Sequence, residues 1–201
     1  MGLLSSAVTF VRYAVEGELA PNFLDFAAER IAAHAYRDID DNYEERSVGW
    51  VSVLSMFDSS FEYASFAAGD HIVLTLRIDE RTVAPKVLKK FTLKEEARLL
   101  KERQIPKLSR AQKIEIKENV KLMLLKKAVP VPATYDLCWN LSEGTLLFFS
   151  TSLKAQAELE DFFKKTFDLS LRLQIPYLTA EHLLKPEDHD ALSRLTPDIF
   201  I

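Results

Sequence analysis

Apolar residues along this chain follow two periods, and the switches between them mark out the elements. From Leu4 to Val15 the residues favour an extended strand (Val8, Thr9, Phe10, Val11, Tyr13, Val15), which Gly17 ends. Pro21 and Asn22 open a helix. In it Phe23, Phe26, Ala27, Ile31 and Ala35 recur at three- and four-residue steps, one apolar stripe suited to packing on a sheet. The acidic stretch from Asp38 to Glu45 has no period and reads as a loop. Val48–Leu54 reads as a short strand carrying Trp50, and Phe61–Ala67 with His71–Ile78 as a hairpin turned at Gly69-Asp70.

The period changes near Val83. Through Ala128 the chain is helical in pattern and free of glycine, broken at Ile105-Pro106, with Ser109 placed to cap the second part. Two helices are predicted, about 84–103 and 109–127, forming a hairpin that Pro130 and Pro132 end, since neither can continue a helix. Thr134–Leu141 and Thr145–Ser150 then form a second β-hairpin. Ser152 caps a helix whose buried face is Leu153, Ala157, Leu159, Phe162, Phe163 and Phe167, and Leu169–Ile175 is a closing strand. The predicted class is α+β, with two antiparallel or mixed sheet-and-helix flanks bracketing a long basic helical hairpin. Its parts are residues 1–82 (N-terminal α+β half), 83–132 (hairpin insertion), 133–178 (C-terminal α+β half) and 179–201 (polar tail).

Composition adds exclusions. With 48% hydrophobic and 28% charged residues, the chain has the balance of a globular protein able to bury a core. Its single cysteine, Cys138, excludes an internal disulfide framework and a cysteine zinc site, and is expected to be a small buried side chain. No apolar run reaches membrane-spanning length, so no membrane partner and a cytoplasmic place are expected. Net charge is −4, which by itself argues against nucleic acid. Its distribution argues the other way. Residues 81–127 hold 15 Lys or Arg against five acids, and the remainder holds 11 against 25.

Spacing sharpens that. Lys86, Lys90, Lys94 and Arg98 follow at four-residue steps on the first helix, and Lys113, Lys117 and Lys121 do the same on the second. Like charges at that spacing repel by about 0.2–0.5 kcal/mol per pair, a cost that an anionic partner relieves. Lysine-rich hairpins are also common solvated surfaces, and an acidic protein surface would serve as the anion equally well. Phe91 is the one aromatic among the stripes, so contacts to phosphates are expected rather than stacking on bases.

Several segments resemble the RdgC family, the bacterial recombination-associated proteins. The best run is Gly69-Asp70-His71-Ile72-Val73 through Arg77-Ile78-Asp79-Glu80-Arg81 to Val83-Ala84-Pro85-Lys86-Val87-Leu88-Lys89, similar to the family's strand, turn and proline-started basic helix. Gly49-Trp50-Val51, Lys117-Glu118-Asn119-Val120, Leu124-Leu125-Lys126-Lys127-Ala128, Trp139 and Ser150-Thr151-Ser152-Leu153-Lys154-Ala155 are similar in kind and order. The resemblance runs from about residue 3 to residue 180. It implies a ring-shaped homodimer that encircles duplex DNA through a basic inner surface, binds with little sequence preference and limits recombinase access. It implies no reaction on the DNA, although the family name sometimes carries an exonuclease label. One family dimer contact lies at the apolar tip of the hairpin, the region assigned here to Val129 and Val131. Typical members continue beyond the equivalent of Ile201, and that part contributes to a second dimer contact.

Catalytic constellations are absent: no glycine-rich phosphate loop, nucleophile elbow or HExxH occurs. His182 and His189 are interrupted by Pro186, His34 and His71 suit structural roles, and Asp38, Asp40, Asp41, Glu44 and Glu45 read as a solvated loop rather than a magnesium site. The expectation is a non-enzymatic, nucleoid-associated protein of the cytoplasm that binds double-stranded DNA as a homodimer and needs no cofactor or metal. The expected phosphate contacts are Lys86, Lys89, Lys90, Lys94, Arg98, Lys101, Arg110, Lys113, Lys117 and Lys121. The alternative is an interaction module whose hairpin docks on an acidic protein surface.

Overall fold

The computed structural model describes residues 2–42 and 44–195. In chain order its elements are β1 (Val11–Glu16), α1 (Phe23–Ala33), β2 (Arg46–Val51), β3 (Ala67–Ala68), β4 (His71–Glu80), α2 (Pro85–Arg103), α3 (Arg110–Lys127), β5 (Val131–Asn140), β6 (Thr145–Phe148), α4 (Leu153–Phe167), β7 (Ser170–Leu173), α5 (Pro176–Leu183) and α6 (His189–Ser193).

β4 explains most of the architecture. Ile72, Leu74, Leu76 and Ile78 alternate onto one face, and all four are buried. That face meets Phe23, Ala27 and Ile31 of α1 and Leu159, Phe163 and Phe167 of α4, together with Trp50, Leu137, Trp139, Leu146 and Phe148 from neighbouring strands. Trp139 sits edge-on to Phe23 and Phe163, each at 5.1 Å between ring centres. Polar contacts tie the layer down: the indole N–H of Trp50 donates to Thr166 Oγ1 at 3.0 Å. The guanidinium of Arg30, on α1, donates to the carbonyls of Lys165 and Thr166 at the end of α4.

The other face of β4 is covered near its C-terminal end. Arg77 and Asp79, both buried, form a bidentate pair with two bonds of 2.8 Å. The guanidinium also donates to the Met56 carbonyl and lies 4.0 Å from the centre of the Tyr36 ring. Burial, followed by the nearby Asp79 carboxylate, pushes the Tyr36 phenol well above its ordinary value.

The expected two flanks are one curled antiparallel sheet of order β2-β4-β5-β6-β1-β7, with β3 on the margin of β4. β4 and β5 pair over their whole lengths, from His71↔Asn140 to Glu80↔Val131, and β1 lies between β6 and β7. Each half therefore supplies strands whose neighbours come from the other half, and neither has a separate sheet.

Two expected strands are shorter than their composition suggests. β1 begins only at Val11, opposite Phe148, the last residue of its partner β6. Of the strand expected at Phe61–Ala67, only Ala67 pairs with β4. The preceding residues form a turn with positive φ at Phe61, Tyr63 and Ala64, which brings Phe61 and Phe66 into the core. Gly69 adopts φ 59° in the turn that follows, as expected for a tight reversal. The tail from residue 179 is partly helical, in α5 and α6, and residues 196–201 lie outside the described residues. No helix among the described residues is long and apolar enough to cross a membrane.

Candidate nucleic-acid interface

The excursion of residues 81–130 leaves β4 after Glu80 and rejoins the sheet at Val131, Glu80's own partner in register. Pro85 opens α2, where a missing N–H is harmless, and Gln104 closes it in a left-handed conformation. Ser109 caps α3: its hydroxyl accepts from Gln112 N, and the Gln112 side chain accepts from Ser109 N. α2 and α3 meet through a small core of Leu108, Ile116 and Val120, against which Leu88, Phe91, Leu99 and Leu124 pack. α2 contributes no buried residue, so the contact is a narrow seam with an open groove on either side.

These grooves divide the predicted cations. The first is lined by Phe91, Lys94, Glu95, Arg98, Leu99, Met123 and Lys127 among others. The second is lined by Pro85, Leu88, Lys89, Thr92, Leu93, Glu96 and Lys117. Helix geometry explains the division. At about 100° per residue, a four-residue step advances about 40° around the axis. The stripe Lys86–Lys90–Lys94–Arg98 therefore winds across the back of α2 and reaches the first groove, and Lys101 follows it. Lys113, Lys117 and Lys121 wind over a narrower arc centred on Lys117, which lines the second groove with Lys89, and Lys86 and Arg110 neighbour these two in helical phase.

Ion pairing separates the ten further. Arg98 is held by Glu95 and Glu102, at 2.6 and 3.0 Å. The bond to Arg98 lowers the carboxyl pKa of Glu95 below its ordinary value, a sign that this cation is already answered within its own helix. Lys121 reaches out of the helix pair to Glu45 Oε1 at 2.8 Å, a bond that raises its ammonium pKa. Lys86, Lys89, Lys90, Lys94, Lys101, Arg110, Lys113 and Lys117 are exposed, and none has a carboxylate at ion-pair distance among the described residues. Each groove holds an acid beside its cations, Glu95 in the first and Glu96 in the second; what separates them is that Arg98 on the first is ion-paired, whereas Lys89 and Lys117 on the second have no carboxylate at ion-pair distance among the described residues.

Val129 and Val131 do not lie at the tip. α3 ends at Lys127 and Val131 begins β5, so both valines sit at the root, 81% and 66% exposed. The tip is the 104–109 turn, where Leu108 is buried in the seam. The two prolines that end the helical pattern mark the return to the sheet, and the reversal comes earlier, at Pro106.

Arg81 was not singled out by charge pattern, yet it joins three elements. It is 4% exposed, and its guanidinium donates to the carbonyls of Ile39, Asp40 and Asn42 in the acidic loop and of Leu125 in the last turn of α3. Its own N–H donates to the Glu45 carbonyl at 2.8 Å. The signal in sequence was position: a lone arginine directly after a buried strand, before the basic helix begins.

The acidic loop brings together no metal-binding constellation: among the described residues no group of three or more His, Cys, Asp or Glu is placed to hold an ion. His34 Nδ1 lies 2.9 Å from the Arg30 carbonyl and its ring packs edge-on to Phe162, a structural setting. His71 and Cys138 line a shallow depression on the outer sheet face with Phe10 and Leu147. Cys138 is half-buried, and burial raises its thiol pKa. The His182 side chain lies outside the described residues.

A family model described as "RdgC: Putative exonuclease, RdgC" matches residues 11–183. Comparison with curated proteins finds no match.

Proposed function

The chain belongs to the RdgC family, whose role is recombination-related, and from that premise we propose that it binds double-stranded DNA without sequence preference through the basic side of α2 and α3. The observation that carries this reading is a set of exposed cations without acidic partners at ion-pair distance among the described residues: Lys89 and Lys117, which line one groove, and Lys86, Arg110 and Lys113, their neighbours in helical phase. Exposed lysines without acidic partners are point charges suited to phosphates and indifferent to base identity. The protein acts as a homodimer, closed around the duplex in a ring-like arrangement that limits recombinase access, and performs no chemistry on the DNA.

Binding of a fluorescent duplex measured by anisotropy across a salt series tests this. Five phosphate contacts give a slope of log K against log salt of about −4.5. Replacing Lys89, Lys113 and Lys117 by Gln brings the slope to about −2, while replacing Lys90, Lys94 and Lys101 by Gln has the smaller effect. A wild-type protein that leaves the duplex free at low salt refutes the reading. Shortening of the duplex by pure protein with magnesium present refutes the non-enzymatic part.

A second reading, docking of the same helices on an acidic protein surface, draws on the Lys121–Glu45 pair, in which a carboxylate already answers one of these lysines. It predicts oligomers that dissociate as salt rises and no duplex binding.

A further inference from the structure

Glu45 reaches a lysine of α3 from outside the helix pair. Its carboxylate bonds Lys121 at 2.8 Å, with the two side chains 38% and 53% exposed, so water and ions reach the contact. The backbone behind it is fixed. The Glu45 carbonyl accepts from Arg81 N, and one guanidinium nitrogen of Arg81 donates both to Asn42 in the loop and to Leu125 at the end of α3. The loop is therefore anchored against the root of α3, and presentation of the carboxylate to Lys121 is built into the fold. The same loop carries Asp38, Asp40, Asp41 and Glu44, all exposed.

An exposed ion pair of this kind is weak, of the order of a single exchangeable contact. Weakness suits it to exchange: a phosphate arriving along the Lys113–Lys117 line meets Lys121 next and competes with one carboxylate for it. We propose that the anchored acidic loop is an intramolecular competitor for the polyanion, with Glu45 withholding Lys121 from the DNA-binding surface. This rests on the duplex-binding reading above. It adds a regulatory contact: Lys113 and Lys117 on the same helix engage phosphates freely, and Lys121 engages only when Glu45 gives way.

The test is a duplex titration across salt with four full-length proteins: wild type, Glu45→Gln, Lys121→Gln and the double variant. Both side chains are partly exposed, Glu45→Gln preserves shape and Lys121→Gln shortens a side chain at the surface, so folding is retained, and circular dichroism checks it. Glu45→Gln is expected to tighten binding and steepen the salt slope by about 0.9, one additional phosphate contact. Its gain is then about 3.5-fold larger at roughly 50 mM salt than at roughly 200 mM. Lys121→Gln alone is expected to leave affinity almost unchanged, and in the double variant to cancel the gain. Glu143→Gln, an exposed charge change in the β5–β6 turn, serves as the control for net charge.

Three results overturn the proposal: Glu45→Gln leaving affinity and slope at wild-type values, a gain that survives in the double variant, or an equal gain from Glu143→Gln. Wild-type protein that fails to bind duplex at low salt sinks the DNA-binding reading, and the competitor role with it. Normal wild-type binding combined with any of those three results sinks the competitor role alone.

Discussion

Arg81 is the place where one substitution should separate the helix pair from the body. Its guanidinium is 4% exposed, has no carboxylate at ion-pair distance among the described residues, and is held by four backbone carbonyls. Two of those bonds, to Ile39 and Leu125, are buried, and the others are partly so. Arg81→Met keeps the length of the side chain and removes every donor. A buried carbonyl left without a donor costs about 1–3 kcal/mol, so the two together cost about 2–6 kcal/mol. Relief from burying a guanidinium whose Nε has no partner offsets part of this. A net loss of about 3 kcal/mol is expected, a fall in Tm of about 6–12 °C for a domain of this size. Urea denaturation gives the first number. Hydrogen exchange then shows where the effect lies: faster exchange should appear in residues 39–42 and the last turn of α3, while the amides of β4 and β5 keep their protection relative to global stability. A loss under about 1 kcal/mol, or exchange that rises uniformly over the sheet, would refute the idea that Arg81 joins the loop to the helix pair.

Three further outcomes follow from the packing. Phe163→Ala empties the space between Trp139 and Phe167 and should destabilise by about 3–5 kcal/mol in urea denaturation. Gly49→Ala sets a Cβ against the Tyr36 backbone, which is drawn in by the bonds from Tyr36 N to the Trp50 carbonyl and from Trp50 N to the His34 carbonyl. A loss of about 1–3 kcal/mol is expected, and full stability in thermal unfolding would show that this approach can relax. Burial raises the Cys138 thiol above its ordinary 9.0, so labelling by a disulfide reagent at pH 8 should be slower than for an unfolded control and should accelerate as pH rises beyond 9.0. The sign for stability follows: a group raised in the folded state contributes below its unfolded value and loses that contribution as pH climbs through the folded one.

The helices were legible because their signals are local. Proline at the first turn, a Ser109–Gln112 box and a four-residue charge rhythm need no knowledge of neighbours, and α2 and α3 begin and end within a residue or so of where those signals put them. Strand ends were less legible, because a strand continues only as far as its partner does: residues 4–10 have strand composition but nothing in β6 to pair with. Phe61 shows the same limit, since an aromatic residue in an apolar run belongs equally to a strand or to a turn that plugs a core.

Residue types and spacing alone determined that this chain carries its positive charge on one helical segment, set in an α+β frame with no catalytic motif. Tertiary structure decided what that charge is free to do. Whether two halves share a sheet, which groove a lysine reaches, and which cations are already answered depend on residues far apart in sequence: Glu80 with Val131, Lys89 with Lys117, Lys121 with Glu45. The physical reason is range. Capping and periodicity act within a few residues, whereas an ion pair or a strand register acts between whatever the fold places within a few ångströms. The −4 of the whole chain therefore says little, and the position of one carboxylate beside one lysine says considerably more.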